Sequence, residues 1–347
     1  MERVNALLKV GMIGMGRMGN HHGQKLNGID DVEITATCTS PVQNVPLLNQ
    51  QEPKLYHDCD DMLENEELDI VYICTPTMSH AEIAKKIIDK RLNLFLEKPL
   101  TMNLIDAWDL VTRVKQTDII CTIGYMYRYR NIVNKMEKMF NNKPISLLNG
   151  YWYWTVPPVS HIKDKDIGGG PVVDQLTHII DLCRLFAGEV KSVNARYTLN
   201  TRKNESFNNW DGYVLNLEFE SGAVASLSGT LSLFEALGEQ SMLDNVVLDV
   251  FAKDLFGRFT PSKLTMYTDG KMDIFEDYTG EINDEFIKAC RENNADLIKS
   301  PIEEAMKTLA VTLAANASNE TGETIVMDDF YKKELGFNPF TSEVAKS

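Results

Sequence analysis

Lys98 stands directly behind a short apolar run, Leu94-Phe95-Leu96, with Glu97 before it and Pro99 after it. Asp174 and His178 stand four residues apart behind Gly168-Gly169-Gly170-Pro171. An ammonium can polarise an oxygen or share its proton, and an imidazole is the usual proton acceptor near neutral pH. A carboxylate beside them can tune both. Pro171 opens a helix, so Asp174 falls where the helix dipole favours negative charge, and His178 follows one turn on along the same face. Asp181, three residues further, is open to two readings: a structural helix carboxylate, or a group that orients the imidazole. Lys98, Asp174 and His178 are thus candidate catalytic residues. The lysine takes the electrophilic role that a zinc ion would otherwise fill, so no metal is expected.

This chemistry needs an electron carrier, and Gly14-Met15-Gly16-Arg17-Met18-Gly19 offers a seat for one. The first glycine of such a turn permits a tight bend, the second lets backbone approach a pyrophosphate, and the third lets helix and strand pack closely. Here the turn follows an apolar strand and opens a βαβ series, the context that gives the motif its meaning. The three strings together predict hydride transfer between a nicotinamide and an alcohol or carbonyl. An acid expected after the second strand, to hold the ribose hydroxyls, is replaced by Thr39-Ser40-Pro41. Loss of that carboxylate removes repulsion against a 2′-phosphate, yet no Arg or Lys lies between Thr39 and Gln51. Arg17 is a possible substitute, and NAD and NADP both stay open.

The elements that must position these residues fall into two classes. Leu7 to Ile13, Glu33 to Cys38, Ile70 to Cys74, Leu94 to Leu96 and Ile119 to Ile123 read as strands separated by helices. That alternation predicts a doubly wound parallel sheet, a Rossmann domain over residues 1–123. Ser79 and Glu82 form an expected capping box for the helix that continues through the apolar pairs Ile83/Ala84 and Ile87/Ile88. Ile145 to Trp154, Lys191 to Leu199, Gly212 to Phe219 and Ala223 to Leu231 alternate more strictly. They predict an α+β domain over residues 124–347 with a mostly antiparallel sheet. Ser300-Pro301-Ile302-Glu303 starts a late helix with one apolar stripe.

In the string Tyr151-Trp152-Tyr153-Trp154 the tryptophans share one side and the tyrosines the other. One pair is core and the other is free to stack on a sugar ring, which makes Trp154 a candidate substrate contact. His161, in the loop before the glycines, can reach a polyol. The formal charge of −15 argues against nucleic acid or an anionic membrane surface as partner. The six cysteines show no C-x-x-C pair and read as reduced core thiols. Met1-Glu2-Arg3-Val4-Asn5 is no secretory leader, and no apolar run is long enough to span a bilayer. A cytoplasmic protein is expected.

In this order the motifs resemble the Gfo/Idh/MocA family, which contains glucose–fructose oxidoreductase and inositol dehydrogenase. The resemblance runs through the Gly14 loop, Cys74-Thr75-Pro76-Thr77-x-x-His80, Glu97-Lys98-Pro99, Gly124-Tyr125-x-Tyr127-Arg128, and Gly168 through Asp174, His178 and Asp181. Pro301 to Asn319 looks like the closing helix of that family, so nearly the whole chain is covered. The resemblance implies that Thr75, Pro76, His80 and Glu97 lie along the cofactor and that Arg128 falls near the substrate. It also implies that Lys98 and His178 handle the hydroxyl proton with help from Asp174. The second domain's sheet is implied to be an open, mostly antiparallel one that serves substrate binding and oligomerisation, in a homodimer or homotetramer. Thr39 in place of the usual acid and Leu176 in place of a common glycine are departures from the pattern. The expected activity is an NAD(P)-dependent oxidoreductase acting on a secondary alcohol of a sugar, cyclitol or related polyol. The alternatives are an NAD-dependent glycosidase with an internal redox cycle, and a non-catalytic regulator that senses dinucleotide.

Overall fold

The computed structural model describes residues 7–39, 53–156, 160–233 and 244–341. They form two compact units. The first takes the described residues of Met1–Thr101, Asp106–Met126 and Gly280–Met306. Its strands are β1 (Leu8–Ile13), β2 (Val32–Cys38), β3 (Lys54–Tyr56), β4 (Ile70–Ile73), β5 (Asn93–Leu96) and β6 (Cys121–Ile123). All pairings are parallel, in the order β3-β2-β1-β4-β5-β6. That order reverses direction between β1 and β4, the place where doubly wound sheets bind their ligands. Every residue of β4 is buried, as expected of a strand covered on both faces. β3 is absent from the sequence assignment because its three residues are half-exposed at the sheet edge and carry no alternation.

Two sequence expectations for this unit need correction. Residues 280–306 pack here, so the chain returns after the second unit's sheet and a single boundary at 123/124 does not divide it. The cause is helix Ile282–Glu292, which buries Ile282, Phe286, Ile287 and Ala289. Phe286 meets Tyr72 and Phe95 edge-on at 5.7 Å each, and those two rings stack at 4.4 Å. The capping box at Ser79 also does not form. Ser79 already has helical backbone angles (φ −96°, ψ −6°), so its side chain cannot reach forward over the helix. Its Oγ lies instead 2.8 Å from both Thr75 Oγ1 and the Pro76 carbonyl.

The second unit contains β7 (Ile145–Tyr153), β8 (Val190–Thr198), β9 (Gly212–Phe219), β10 (Val224–Thr230), β11 (Val246–Ala252), β12 (Leu255–Thr260), β13 (Lys263–Thr268), β14 (Lys271–Glu276) and β15 (Ile325–Val326). They form one nine-stranded sheet ordered β14-β13-β12-β11-β7-β10-β9-β8-β15. Only β7 and β10 pair in parallel; the other pairings are antiparallel. Strict alternation in β9 buries Tyr213, Leu215, Leu217 and Phe219 on one face. Helix Thr177–Ala187 lies over β7, where Gly150 makes room: a Cβ there would sit 2.9 Å from Ile179 Cγ2. Helical structure begins at Pro171, as expected, but not with regular α turns. Val172–Leu176 is one π turn, and α geometry starts at Thr177. The i→i+5 turn absorbs one extra residue between the glycine loop and the buried helix.

All six cysteines are free thiols. Burial pushes Cys38 up to about 11 and Cys121 up to about 12, which leaves both poor nucleophiles. No described helix is long and apolar enough to cross a membrane.

Candidate active site

In the first unit, β1 is followed by Gly14, whose φ of +91° disfavours any residue with a side chain. A Cβ there would lie 2.7 Å from the Cys74 carbonyl. A Cβ on Gly19 would lie 2.0 Å from the Gly14 carbonyl oxygen, so the third glycine is what lets helix Arg17–Leu26 close on its own loop. Asn20, which sequence reasoning missed, braces the turn by donating to the carbonyls of Met15 at 2.8 Å and Gly16 at 3.0 Å. Gly16 offers no side-chain cap and the first helical turn carries no acid. Its N–H groups and the helix dipole therefore suit an anion. Met15 is buried beneath the loop, Met18 is half-buried and Arg17 is exposed. These residues fit a dinucleotide: glycines at 14 and 19 let the loop close tightly against Cys74 and its own helix, and the uncapped N–H groups of the first turn are left for a pyrophosphate. Gly19→Ala should weaken cofactor binding at least tenfold, read by a fluorescence titration with NAD⁺ and NADP⁺.

Thr39 follows β2 and is buried; its N–H donates to the Tyr56 carbonyl at 3.1 Å, and its own carbonyl lies 2.9 Å from His57 Nδ1. Ser40 lies outside the described residues. At the ends of β4 and β5, His80 ties two loops together. Its Nδ1 is 2.9 Å from the Pro99 carbonyl and its Nε2 is 2.9 Å from that of Thr75. Burial holds this histidine below its ordinary pKa, against the pull of the two carbonyls; a neutral ring donates to one of them and an imidazolium to both, and the ring lies between Thr75 and the segment that carries Lys98.

Glu97 and Lys98 are set by a buried network. His22 Nε2 lies 2.8 Å from Glu97 Oε1, and His22 Nδ1 lies 2.9 Å from Asn283 Oδ1. The other Glu97 oxygen accepts the Lys98 N–H at 3.0 Å. Gly124 leaves room for it, since a Cβ there would meet Glu97 Oε2 at 2.9 Å. His22, Glu97 and Asn283 are all buried, while Lys98 is half-buried and joined to Pro99 by a cis peptide bond. Sequence reasoning missed His22 and Asn283. A histidine three residues beyond the last glycine was the only local signal, and Asn283 arrives from 261 residues away.

In the second unit His178 is buried between aromatic rings. Trp152 stacks beside it at 5.8 Å and 20°, and Tyr127 tilts against it at 5.3 Å. Asp174, on the π turn, is half-buried. Asp181 does not have its oxygens free for an imidazole. It receives a bidentate pair from Arg128, at 2.7 and 2.9 Å, and a bond from Thr308 Oγ1 at 3.0 Å. Arg128 is itself buried in that pair. Trp154 packs against the apolar cluster of Ile162, Phe207 and Leu231. The His161 side chain lies outside the described residues.

Residues 8–125 match the family described as an oxidoreductase family with an NAD-binding Rossmann fold, and residues 145–240 match the C-terminal domain of that family. The chain belongs to the Gfo/Idh/MocA family of oxidoreductases. It is 28% identical over 233 residues to myo-inositol 2-dehydrogenase of Thermotoga maritima, covering 64% of this chain and 68% of that one. It is 27% identical over 239 residues to scyllo-inositol 2-dehydrogenase (NAD⁺) of Bacillus subtilis, covering 64% and 67%. Among solved structures, GenD2 from gentamicin A biosynthesis, in complex with NAD, shares the fold with a TM-score of 0.79 at 17% identity, over 94% of this chain and 97% of that one. The protein is an oxidoreductase that uses a nicotinamide cofactor.

Proposed function

We propose that this oxidoreductase acts on a secondary alcohol or ketone of a sugar, cyclitol or related polyol. The observation that carries the reading is His178, a proton acceptor buried in a wall of Tyr127 and Trp152. Such a wall suits a ring that is apolar on its C–H face and polar at its rim. The inositol dehydrogenases to which the chain is similar support the same substrate class.

In this reading Gly14, Met15, Gly16, Arg17, Met18 and Gly19 seat the pyrophosphate, with Thr39, Ser40, Thr75, Pro76, His80 and Glu97 along the rest of the cofactor. The bound nicotinamide supplies the redox chemistry by accepting or returning a hydride. Lys98 holds the substrate oxygen and stabilises the charge that develops there. His178 takes the hydroxyl proton in the oxidative direction and returns it in the reductive one. Asp174 tunes both groups, and Arg128 contributes by holding the helix that carries His178. The chain works as a homodimer or homotetramer in the cytoplasm; exposed Val214, Val224 and Ile274 on the large sheet support self-association.

The test is the change in nicotinamide absorbance with NAD⁺ or NADP⁺ and a panel of cyclitols and sugars, run in both directions. Turnover with a polyol is expected, and the cofactor that supports it settles the NAD–NADP choice. Absence of turnover with every polyol, or glycoside cleavage without net cofactor change, would overturn the reading.

A further inference from the structure

One cross-strand row of the large sheet ends beside His178. Tyr197 of β8 pairs with Tyr213 of β9, Tyr213 with Gly229 of β10, and Gly229 with Trp152 of β7. Direct partners on neighbouring strands project to the same face. That face is the one on which Trp152 stacks against His178. Gly229 contributes no side chain to the row, and the Tyr213 phenol lies in the space it leaves. A Cβ on Gly229 would sit 2.0 Å from Tyr213 Oη and 2.1 Å from Cζ. The phenol is thereby laid along the sheet toward Trp152.

Three donors on this row, on Tyr197, Tyr213 and Trp152, have no partner among the described residues, and the last two stand nearer His178 along the row. Tyr213 is 4% exposed, and its hydroxyl makes no hydrogen bond among the described residues. The indole Nε1–H of Trp152 is also buried without one. Buried Tyr and Trp normally find a partner for these groups. A phenylalanine at 213 would fill the same space with nothing left unsatisfied. The phenol stays protonated, because burial and then the charge of Asp174 hold its pKa well above the ordinary value. The end of the row nearer His178 therefore presents two N–H or O–H donors, and the carboxylate of Asp174 acts on the same phenol.

We propose that Tyr213 Oη and Trp152 Nε1 bind hydroxyl oxygens of the substrate beside His178. A hydroxyl both accepts and donates, so it satisfies the two donors and can still donate to a carboxylate. A phosphate or uronate oxygen would meet the charge of Asp174 and is disfavoured there. This inference rests on the polyol reading above and narrows it to neutral, multiply hydroxylated substrates.

The experiment uses full-length Tyr213→Phe and Trp152→Phe with the cofactor and polyol that the wild-type protein turns over, myo-inositol being the first probe. Tyr213→Phe keeps its ring in the packing, and Trp152→Phe keeps a single smaller ring, so its Tm is read beside its kinetics. The expected result is a kcat/KM about tenfold to a hundredfold lower, carried mainly by KM, with no loss of Tm in Tyr213→Phe. A deoxy analogue lacking the contacted hydroxyl should be used equally by wild type and variant. Unchanged kcat/KM in both variants while the wild type turns over polyols would overturn this inference alone. So would a Tm that falls with activity in Tyr213→Phe, because the hydroxyl would then have a structural partner. A wild-type protein that turns over no polyol with either cofactor would overturn the parent reading and this inference with it.

Discussion

Lys98→Ala is expected to lose about a hundredfold to ten-thousandfold in turnover while keeping its cofactor. The backbone at this position is held independently of the side chain. The Lys98 N–H donates to Glu97, and Glu97 is fixed through His22 to Asn283 in a buried network. Truncation at Cβ therefore removes the ammonium and leaves the loop, including the His80 ring between Pro99 and Thr75. Cofactor affinity should change by no more than a few fold, since the pyrophosphate seat is built from the Gly14 turn. Lys98→Arg should not restore activity, because a planar guanidinium does not replace a compact ammonium at one oxygen. Steady-state kinetics beside a fluorescence titration of cofactor check both halves. Full activity in Lys98→Ala would remove the lysine from the chemistry. Unaltered cofactor binding in a protein that never turned over polyols would point to a dinucleotide sensor.

What was legible in the sequence was local. The Gly14 turn declares itself because three glycines, a preceding apolar strand and a following helix lie within twenty residues. Lys98 is placed by the strand that ends two residues before it. The late strands read well wherever alternation is strict, as in β9. Long-range relations were not legible. Nothing around Ile282 marks the helix as a return to the first unit, because an amphipathic stripe does not say which sheet it will cover. The partnership of Arg128 with Asp181 spans 53 residues, and although each lies in a recognised motif, neither motif points to the other. Tyr213, Gly229 and Trp152 meet only through the register of three strands, and one of their pairings is the parallel one. Ser79 misled for a subtler reason: its type and spacing fit a cap, but its backbone was already helical.

Asp181→Ala should cost about 3–5 kcal/mol, the usual consequence of leaving one member of a buried ion pair without its partner. Arg128 and Asp181 are 6% and 2% exposed, so water cannot take over the orphaned guanidinium. The loss would spread along a chain of bonds. Thr308 Oγ1 donates to Asp181 at 3.0 Å and lies 2.9 Å from Arg184 Nη1, while Arg184 pairs with Glu189. Arg184 and Asp181 both belong to helix Thr177–Ala187, which is buried almost all round and carries His178 one turn earlier. For a unit of this size the thermal midpoint should drop on the order of 10 °C. Asp181→Asn keeps the shape and an acceptor oxygen but not the charge, so its drop should be smaller. Differential scanning calorimetry of the three proteins, beside their kcat values, separates the two roles that the sequence left open for this carboxylate. If Asp181 holds Arg128 and the helix, stability falls first and activity follows it, with Asp181→Asn intermediate in both. If it orients the imidazole, activity falls in both variants while the midpoint stays in place. The bidentate geometry with Arg128 favours the first outcome, because both carboxylate oxygens are already engaged.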